Sequence, residues 1–245
     1  MSTNPGRALS PDPGIGIEGL ALSLGRRMIL AGLALASNAE ARRWGGPSWP
    51  QAKAQSMEQS GRERTYRLYL PAIRKPGKAL PLILALHGGG GNGKAMEGLT
   101  YGGLNLLADA EGFAVVYPDG IEKHWNDGRG GVDERAARED IPDVPFISDL
   151  IARLVAEGLA DPSRVYACGI SNGGMMSFRL ACELSDKIAA VAIVASSMPR
   201  RWATVCSPKR PVSVLILSGT KDPLVPYEGG FVKVFRKTRG EVVGV

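Results

Sequence analysis

Apolar and polar residues alternate along "RTYRLYLP" (Arg64 to Pro71), the pattern of a strand with one solvated face. The next run, "LPLILALHGGGGNG" (Leu80 to Gly93), has no polar position before His87, which fits a strand covered on both faces that opens into a glycine-rich loop. A helix is predicted around Leu104 to Glu111. A third strand, "FAVVYPDG", follows it. Beyond the long polar loop "IEKHWNDGRGGVDERAAREDIPD", apolar residues recur at helical spacing from Val144 to Glu157. Strand "RVYACGI" then leads through Ser171 into helix "GGMMSFRLACELS", and "IAAVAIVASS" and "PVSVLILSGT" read as two more apolar strands. Strands alternating with helices predict an α/β domain: a mostly parallel sheet with helices on both faces. No internal repeat interrupts it. In such sheets the chemistry collects in loops beyond the carboxyl ends of the strands.

The first fifty residues, rich in Pro, Gly and Ala, differ from this pattern. "GRRMILAGLALASNAEA" (Gly25 to Ala41) joins two arginines, a short apolar run and small residues at Ala39 and Ala41, the three parts of a secretory signal. The run from Met28 to Ala36 is far shorter than the roughly 20 residues that cross a bilayer, so no stable membrane anchor is expected. The competing reading is a flexible N-terminus with a chance apolar patch. The organisation expected is therefore a leader with a signal peptide over 1–41, a polar linker over 42–60 and one domain over 61–245, secreted to an extracellular or periplasmic space.

Composition narrows the function classes. The 245 residues are 44% hydrophobic and 22% charged, enough for one sizeable core. The net charge of +6 is spread along the chain and no arginine cluster is interleaved with aromatics, so a nucleic-acid partner is not expected. Three cysteines (Cys168, Cys182, Cys206) fit no zinc spacing. Cys168, inside a strand, reads as a buried apolar residue, and if any pair forms it is Cys182 with Cys206.

Three stretches carry chemistry. Gly169, Ile170, Ser171, Asn172 and Gly173 spell G-x-S-x-G between a strand and a helix. A serine at so sharp a turn needs glycine neighbours, and the helix start brings backbone N–H groups beside its oxygen, so Ser171 reads as a nucleophile. An ordinary serine helix cap is the alternative. "HGGGGNG" (His87 to Gly93) lets the backbone approach a substrate and aim N–H groups at a developing oxyanion, with the amides of Gly89 and Asn172 as the candidate donors. The rival phosphate-binding reading lacks the G-K-[ST] ending. His87 itself reads as a structural hydrogen-bonder rather than a base. In "SGTKDPLVPY" (Ser218 to Tyr227), Asp222 stands just past a strand end and follows Ser171 in the nucleophile-then-acid order. An acid in a turn is also commonplace.

Together, "LHGGGGNG", "YPDG", "HWNDGR", "DVPFI", "GISNGGMM" and "SGTKDPLVPY" occur in the same order as in secreted α/β-hydrolase esterases of the polyhydroxybutyrate depolymerase and feruloyl esterase group, and from about Arg64 onwards the chain resembles that group. The resemblance implies an α/β-hydrolase fold, Ser171 as nucleophile and Asp222 as triad acid. It also puts Trp125, with His87 nearby, at the substrate pocket, although Trp125 reads equally well as a packing residue. The implied substrate is a small-molecule or polymeric ester, either a short hydroxyalkanoate ester or an aromatic ester of plant polysaccharide. No cofactor and no metal is implied. The group's third triad member would be a histidine after the acid, but this sequence contains only His87 and His124. The expectation is thus a C-terminally incomplete hydrolase, with the last strand, histidine loop and closing helix missing, "PVSVLILSGT" left as an exposed sheet edge and catalysis impaired. Two rivals remain at this point: a non-catalytic remnant that keeps a ligand pocket, and a peptidase on the same fold.

Overall fold

The computed structural model describes residues 49–130, 135–234 and 237–245. The segment read as a signal peptide lies outside them. Seven strands form the main sheet: β1 (Lys53–Gln59), β2 (Arg62–Tyr69), β3 (Leu80–Leu86), β4 (Ala114–Pro118), β5 (Ala160–Ile170), β6 (Ala190–Val194) and β7 (Ser213–Leu217). Their order is β1-β2-β4-β3-β5-β6-β7; β1 pairs with β2, and β2 with β4, antiparallel, while every pair from β4 to β7 is parallel. Helices α1 (Gly93–Leu99), α2 (Gly103–Glu111), the single turn α3 (Arg135–Arg138), α4 (Asp143–Ala156), α5 (Asn172–Glu183) and α6 (Arg200–Val205) connect the strands.

The unbroken apolar run of β3 has a direct cause. Leu82, Leu84 and Leu86 point into one cluster with Phe146, Ile147 and Leu150 of α4 and Met176 and Leu180 of α5. Ile83 and Ala85 point to the other face, against Met96 of α1 and Leu104 and Ala108 of α2. Side chains alternate across a strand, so a strand between two helical layers needs apolar residues at every position. In α4 the buried Ile147, Leu150, Ile151 and Leu154 follow the i, i+3, i+4, i+7 spacing that gives a helix one apolar face.

Two buried contacts fix the long loop between β4 and α4. Arg64 of β2, 1% exposed, donates from Nη2 to Oδ1 of Asp143 at 2.6 Å and lies 3.9 Å over the ring of Phe146. The other Asp143 oxygen accepts from the Asn126 amide at 2.7 Å. A buried charge is tolerable only when so paired.

Polarity assigned Lys53–Gln59 to the linker, and here the structure corrects it: these residues are edge strand β1, paired along its whole length with β2. An edge strand keeps most side chains in water, so "KAQSMEQ" carries no apolar signature. Beyond Thr220, where no element was expected, β8 (Gly229–Val234) and β9 (Lys237–Val243) form an antiparallel hairpin. Its Val232 and Val242 pack with Val225 against Met175 of α5. Cys182 and Cys206 are joined, tying the end of α5 to the end of α6, and Cys168 is a buried free thiol. Strand β7 forms an edge of the sheet, with Val214 47% and Leu217 38% exposed.

Candidate active site

Ser171 sits where β5 ends and α5 begins, with φ 54° and ψ −119°. A left-handed φ on a residue with a Cβ costs on the order of 1–3 kcal/mol and persists only where the surroundings enforce it. They do so here. The Ser171 amide donates to Val194 O of β6 at 3.0 Å, and Ser196 Oγ donates to Ser171 O at 2.9 Å. A Cβ added to Gly169 would lie 2.8 Å from Gly174 N and closer still to Gly173 O. One added to Gly173 would lie 2.5 Å from His87 O and closer to Leu86 O, and one on Gly174 would meet Ser196 Cβ at 2.8 Å. All three glycines are therefore a steric requirement of the turn, as the sequence pattern implied.

The glycine loop after β3 runs alongside. The Cβ position of Gly88 is 3.7 Å from Ser171 Cβ, and that of Gly89 is 3.8 Å from Asn172 Cβ. Gly90 donates to Lys123 O at 2.8 Å and Gly91 to Gly88 O at 3.0 Å, whereas the exposed Gly89 amide has no acceptor among the described residues. Asn172 is the first residue of α5, so its N–H has no partner within the helix. These two amides are the oxyanion candidates, and they belong to residues whose Cβ positions lie 3.8 Å apart beside Ser171.

The Asn172 side chain has a different task. Its Oδ1 accepts from Trp125 N at 2.8 Å, and its Nδ2 donates to Trp125 O at 3.0 Å and to Asp127 Oδ2 at 2.7 Å. Trp125, 1% exposed, donates from Nε1 to His87 O at 3.0 Å. It belongs to the main core cluster, which favours the packing reading of this residue over that of an open pocket wall. His87 is equally buried and 4.8 Å from the Trp125 ring. Its Nδ1 lies 2.8 Å from Gly88 O, which can only accept, so Nδ1 carries the proton and Nε2 accepts from the Gly120 amide at 3.0 Å. Burial pushes the His87 pKa below the ordinary histidine value. It is a neutral brace for the glycine loop.

Asp222 lies in the turn after β7, on the same rim but two strands along. Its Oδ1 accepts from the amides of Leu224 at 2.8 Å and Val225 at 3.0 Å, and Oδ2 makes no hydrogen bond among the described residues. Such a pinned carboxylate can hold an imidazole through its second oxygen. The strand order decides which imidazole. His87 follows β3 and His124 follows β4, so both lie on one side of β5, while Asp222, after β7, lies on the other. His124 reaches the glycine loop instead, its ring 3.2 Å from the Gly89 Cβ position. Asp127 and Ser196, which hold Asn172 and Ser171, were singled out by no local pattern; the "HWNDGR" stretch was the one available pointer to the first. Among the described residues no cluster of three His, Cys, Asp or Glu side chains is placed to hold a metal ion, and no helix is long and apolar enough to cross a membrane.

The fold is shared with solved structures: one crystallised as "a thermostable esterase" superposes with a TM-score of 0.58 at 20% identity, covering 73% of this chain and 49% of that one. The sheet and its flanking helices are those of an α/β-hydrolase. Among curated relatives, a Nocardia uniformis subsp. tsuyamanensis protein named as an esterase, NocK, is 39% identical over 177 residues, which is 72% of this chain and 50% of the relative. Feruloyl esterase B of Piromyces equi is 32% identical over 163 residues, covering 64% of this chain and 29% of the relative. The chain thus spans half or less of the length of these relatives. Residues 64–204, more than half of the chain and including Ser171 with the whole glycine loop, match the family model described as "Esterase PHB depolymerase", and the chain belongs to that family.

Proposed function

We propose that the chain is a serine esterase that works through an acyl-enzyme. Ser171 Oγ adds to the ester carbonyl, the amides of Gly89 and Asn172 take the oxyanion, and collapse expels the alcohol; water then adds to the acyl-serine and releases the acid. Asp222 would orient the imidazole that carries protons between these groups. The observation that carries this reading is Ser171 itself, held at φ 54° in a turn where a Cβ on Gly169, Gly173 or Gly174 would meet a neighbour at 2.8 Å or less. A mere helix cap has no need of such strain, and the Ser171 side chain makes no capping hydrogen bond.

No histidine of this sequence stands between Ser171 and Asp222, so these 245 residues alone should turn over esters slowly. In serine hydrolases loss of the histidine costs a factor on the order of a million in kcat, while oxyanion groups and binding still leave about a thousandfold over water. Substrates of the kinds named for the relatives, hydroxyalkanoate or feruloyl-type esters, belong to the proposal, as does export directed by the segment around Arg26 and Arg27.

The deciding experiment treats the 245-residue chain with a fluorophosphonate, with and without added imidazole, and compares Ser171→Ala. Slow phosphonylation at Ser171, accelerated by imidazole and absent in the variant, supports the esterase. A folded chain that takes no label under either condition points instead to a non-catalytic ligand-binding remnant, the reading favoured by the placement of both histidines. Parallel rates on matched p-nitrophenyl esters and anilides separate an esterase from a peptidase.

A further inference from the structure

The end of the sheet opposite Ser171 holds a cavity of about 350 Å³, where β3 and β4 begin and β5 passes Arg164 and Tyr166. The seven residues of β3 at about 3.3 Å each put it roughly 20 Å from the nucleophile. Its volume falls within the ~300–1,000 Å³ usual for small-molecule sites.

The lining has two characters. Ile83 and Phe113, 2% and 3% exposed, and the half-buried Leu107 and Tyr166 give an apolar interior. The loop between β2 and β3 supplies Arg74, Lys75 and Lys78, and Arg164 adds a fourth cation, against Glu111 as the acid of the lining. Arg164 is paired with Asp161 at 2.7 Å. The three loop cations are in no ion pair among the described residues.

The loop that carries them is anchored. Its base is held by Ala72 N donating to Asp109 Oδ1 at 2.8 Å and Tyr69 OH donating to Asp109 Oδ2 at 2.7 Å. Its tip turns through Gly77, at φ 70°, and is closed by Lys78 N donating to Lys75 O at 3.2 Å. On the far side Arg164 Nη2 donates to Ala79 O at 3.3 Å. Ile73, 90% exposed, stands at the lip beside the cations. Tyr166 lines the cavity with a hydroxyl that makes no hydrogen bond among the described residues, and burial raises its pKa, so it remains a donor at neutral pH.

We propose that this cavity binds a small amphipathic organic anion: an aromatic ring or short aliphatic chain in the apolar interior, with its carboxylate or sulfonate among Arg74, Lys75 and Lys78. Charge complementarity selects that ligand. An uncharged apolar molecule gains nothing from the three cations, and an inorganic anion leaves the apolar floor in water. The site does not depend on Ser171.

The test is a titration of the 245-residue chain with 8-anilinonaphthalene-1-sulfonate, followed by fluorescence. Saturable enhancement is expected at low salt, weakening as salt screens the cations. Lys75→Glu/Lys78→Glu, at two exposed positions, should weaken binding by about tenfold or more, the loss expected for two charge-assisted contacts. Its melting temperature should not change. Leu107→Trp, which fills the interior, should abolish binding, and Ser171→Ala should leave it intact. Competition by octanoate and by 2-naphthoate then shows whether the aliphatic or the aromatic carboxylate is preferred. Absence of saturable binding overturns the proposal, as does unchanged affinity in the charge-reversed variant or displacement by 1-octanol as effective as that by octanoate.

Discussion

Replacing Gly173 by alanine adds one methyl group at the tightest point behind Ser171. The new Cβ would lie 2.5 Å from His87 O and closer to Leu86 O, whereas real Cβ atoms keep at least 3.0 Å from their neighbours. The His87 carbonyl must therefore retreat by about 0.5 Å, and that of Leu86 by more. Both are main-chain atoms at the end of a central strand, so no side chain can rotate to relieve the contact. Over-packing of this kind costs about 1–3 kcal/mol, and with only backbone to yield the upper half of that range applies. For a domain of this size the loss corresponds to a melting temperature lower by about 5–10 °C. The same movement displaces Gly88 and Gly89 relative to Ser171, and a misplacement approaching 1 Å at a reacting centre costs on the order of a hundredfold in rate. Thermal melting followed by circular dichroism and the rate of fluorophosphonate labelling at Ser171 measure the two effects. Gly98→Ala is the internal control: in α1, with nothing within 4 Å of the new Cβ, it should stabilise by about 0.5–1 kcal/mol. A Gly173→Ala chain that melts within 2 °C of the parent, on the scale where ~1 kcal/mol shifts Tm by a few degrees, and labels at the parental rate would refute the steric account of the turn.

Three further outcomes follow from other contacts. The Cys182–Cys206 bond closes a loop with a sequence separation of 24, so on the chain-entropy model reduction should remove about 3.5 kcal/mol, read as a lower urea midpoint with dithiothreitol. Burial pushes the Cys168 thiol up to about 12, so at pH 8 iodoacetamide should leave it intact in the native chain and modify it only after unfolding; native alkylation there would contradict its burial. The Ser163 hydroxyl and amide, together with Arg164, hold the Asp161 carboxyl at about 2 against an ordinary 3.8. A folded pKa below the unfolded one gives stability that is present above about pH 4 and lost as pH falls towards 2. Asp161→Asn should therefore flatten thermal stability across that window relative to the parent.

The contrast between legible and illegible parts has a physical basis. Strands β3 to β7 were readable because each lies between two helical layers or beside such a strand, which leaves apolar runs in the sequence. Strand β1 was not, because an edge strand with most side chains in water resembles a linker. Helix α1 contains Gly93 and Gly98 and buries few residues, although Asn92, whose Oδ1 caps the Ala95 amide at 2.8 Å, was a usable start signal. The hairpin β8–β9 is held by contacts with Met175, Ser197 and Met198, far away in sequence. At the site, Ser171, Asn172 and the glycine loop announce themselves because steric demands between adjacent residues fix their types. Asp127 and Ser196 act through hydrogen bonds to residues 45 and 25 positions away, and no local pattern encodes that.

That hairpin has a consequence for how the protein can be re-engineered. Lys233 N donates to Leu224 O at 3.1 Å, Val245 N to Tyr227 O at 3.0 Å, and Val225 packs on Met175 one turn into α5. Strands β8 and β9 with Val245 are thus a strut between the loop that carries Asp222 and the helix that begins behind Ser171. A domain inserted in the exposed segment around Pro208, outside the strut, should leave the spacing of Asp222 and Ser171 unchanged. That exposed segment is where a fusion partner for this chain belongs.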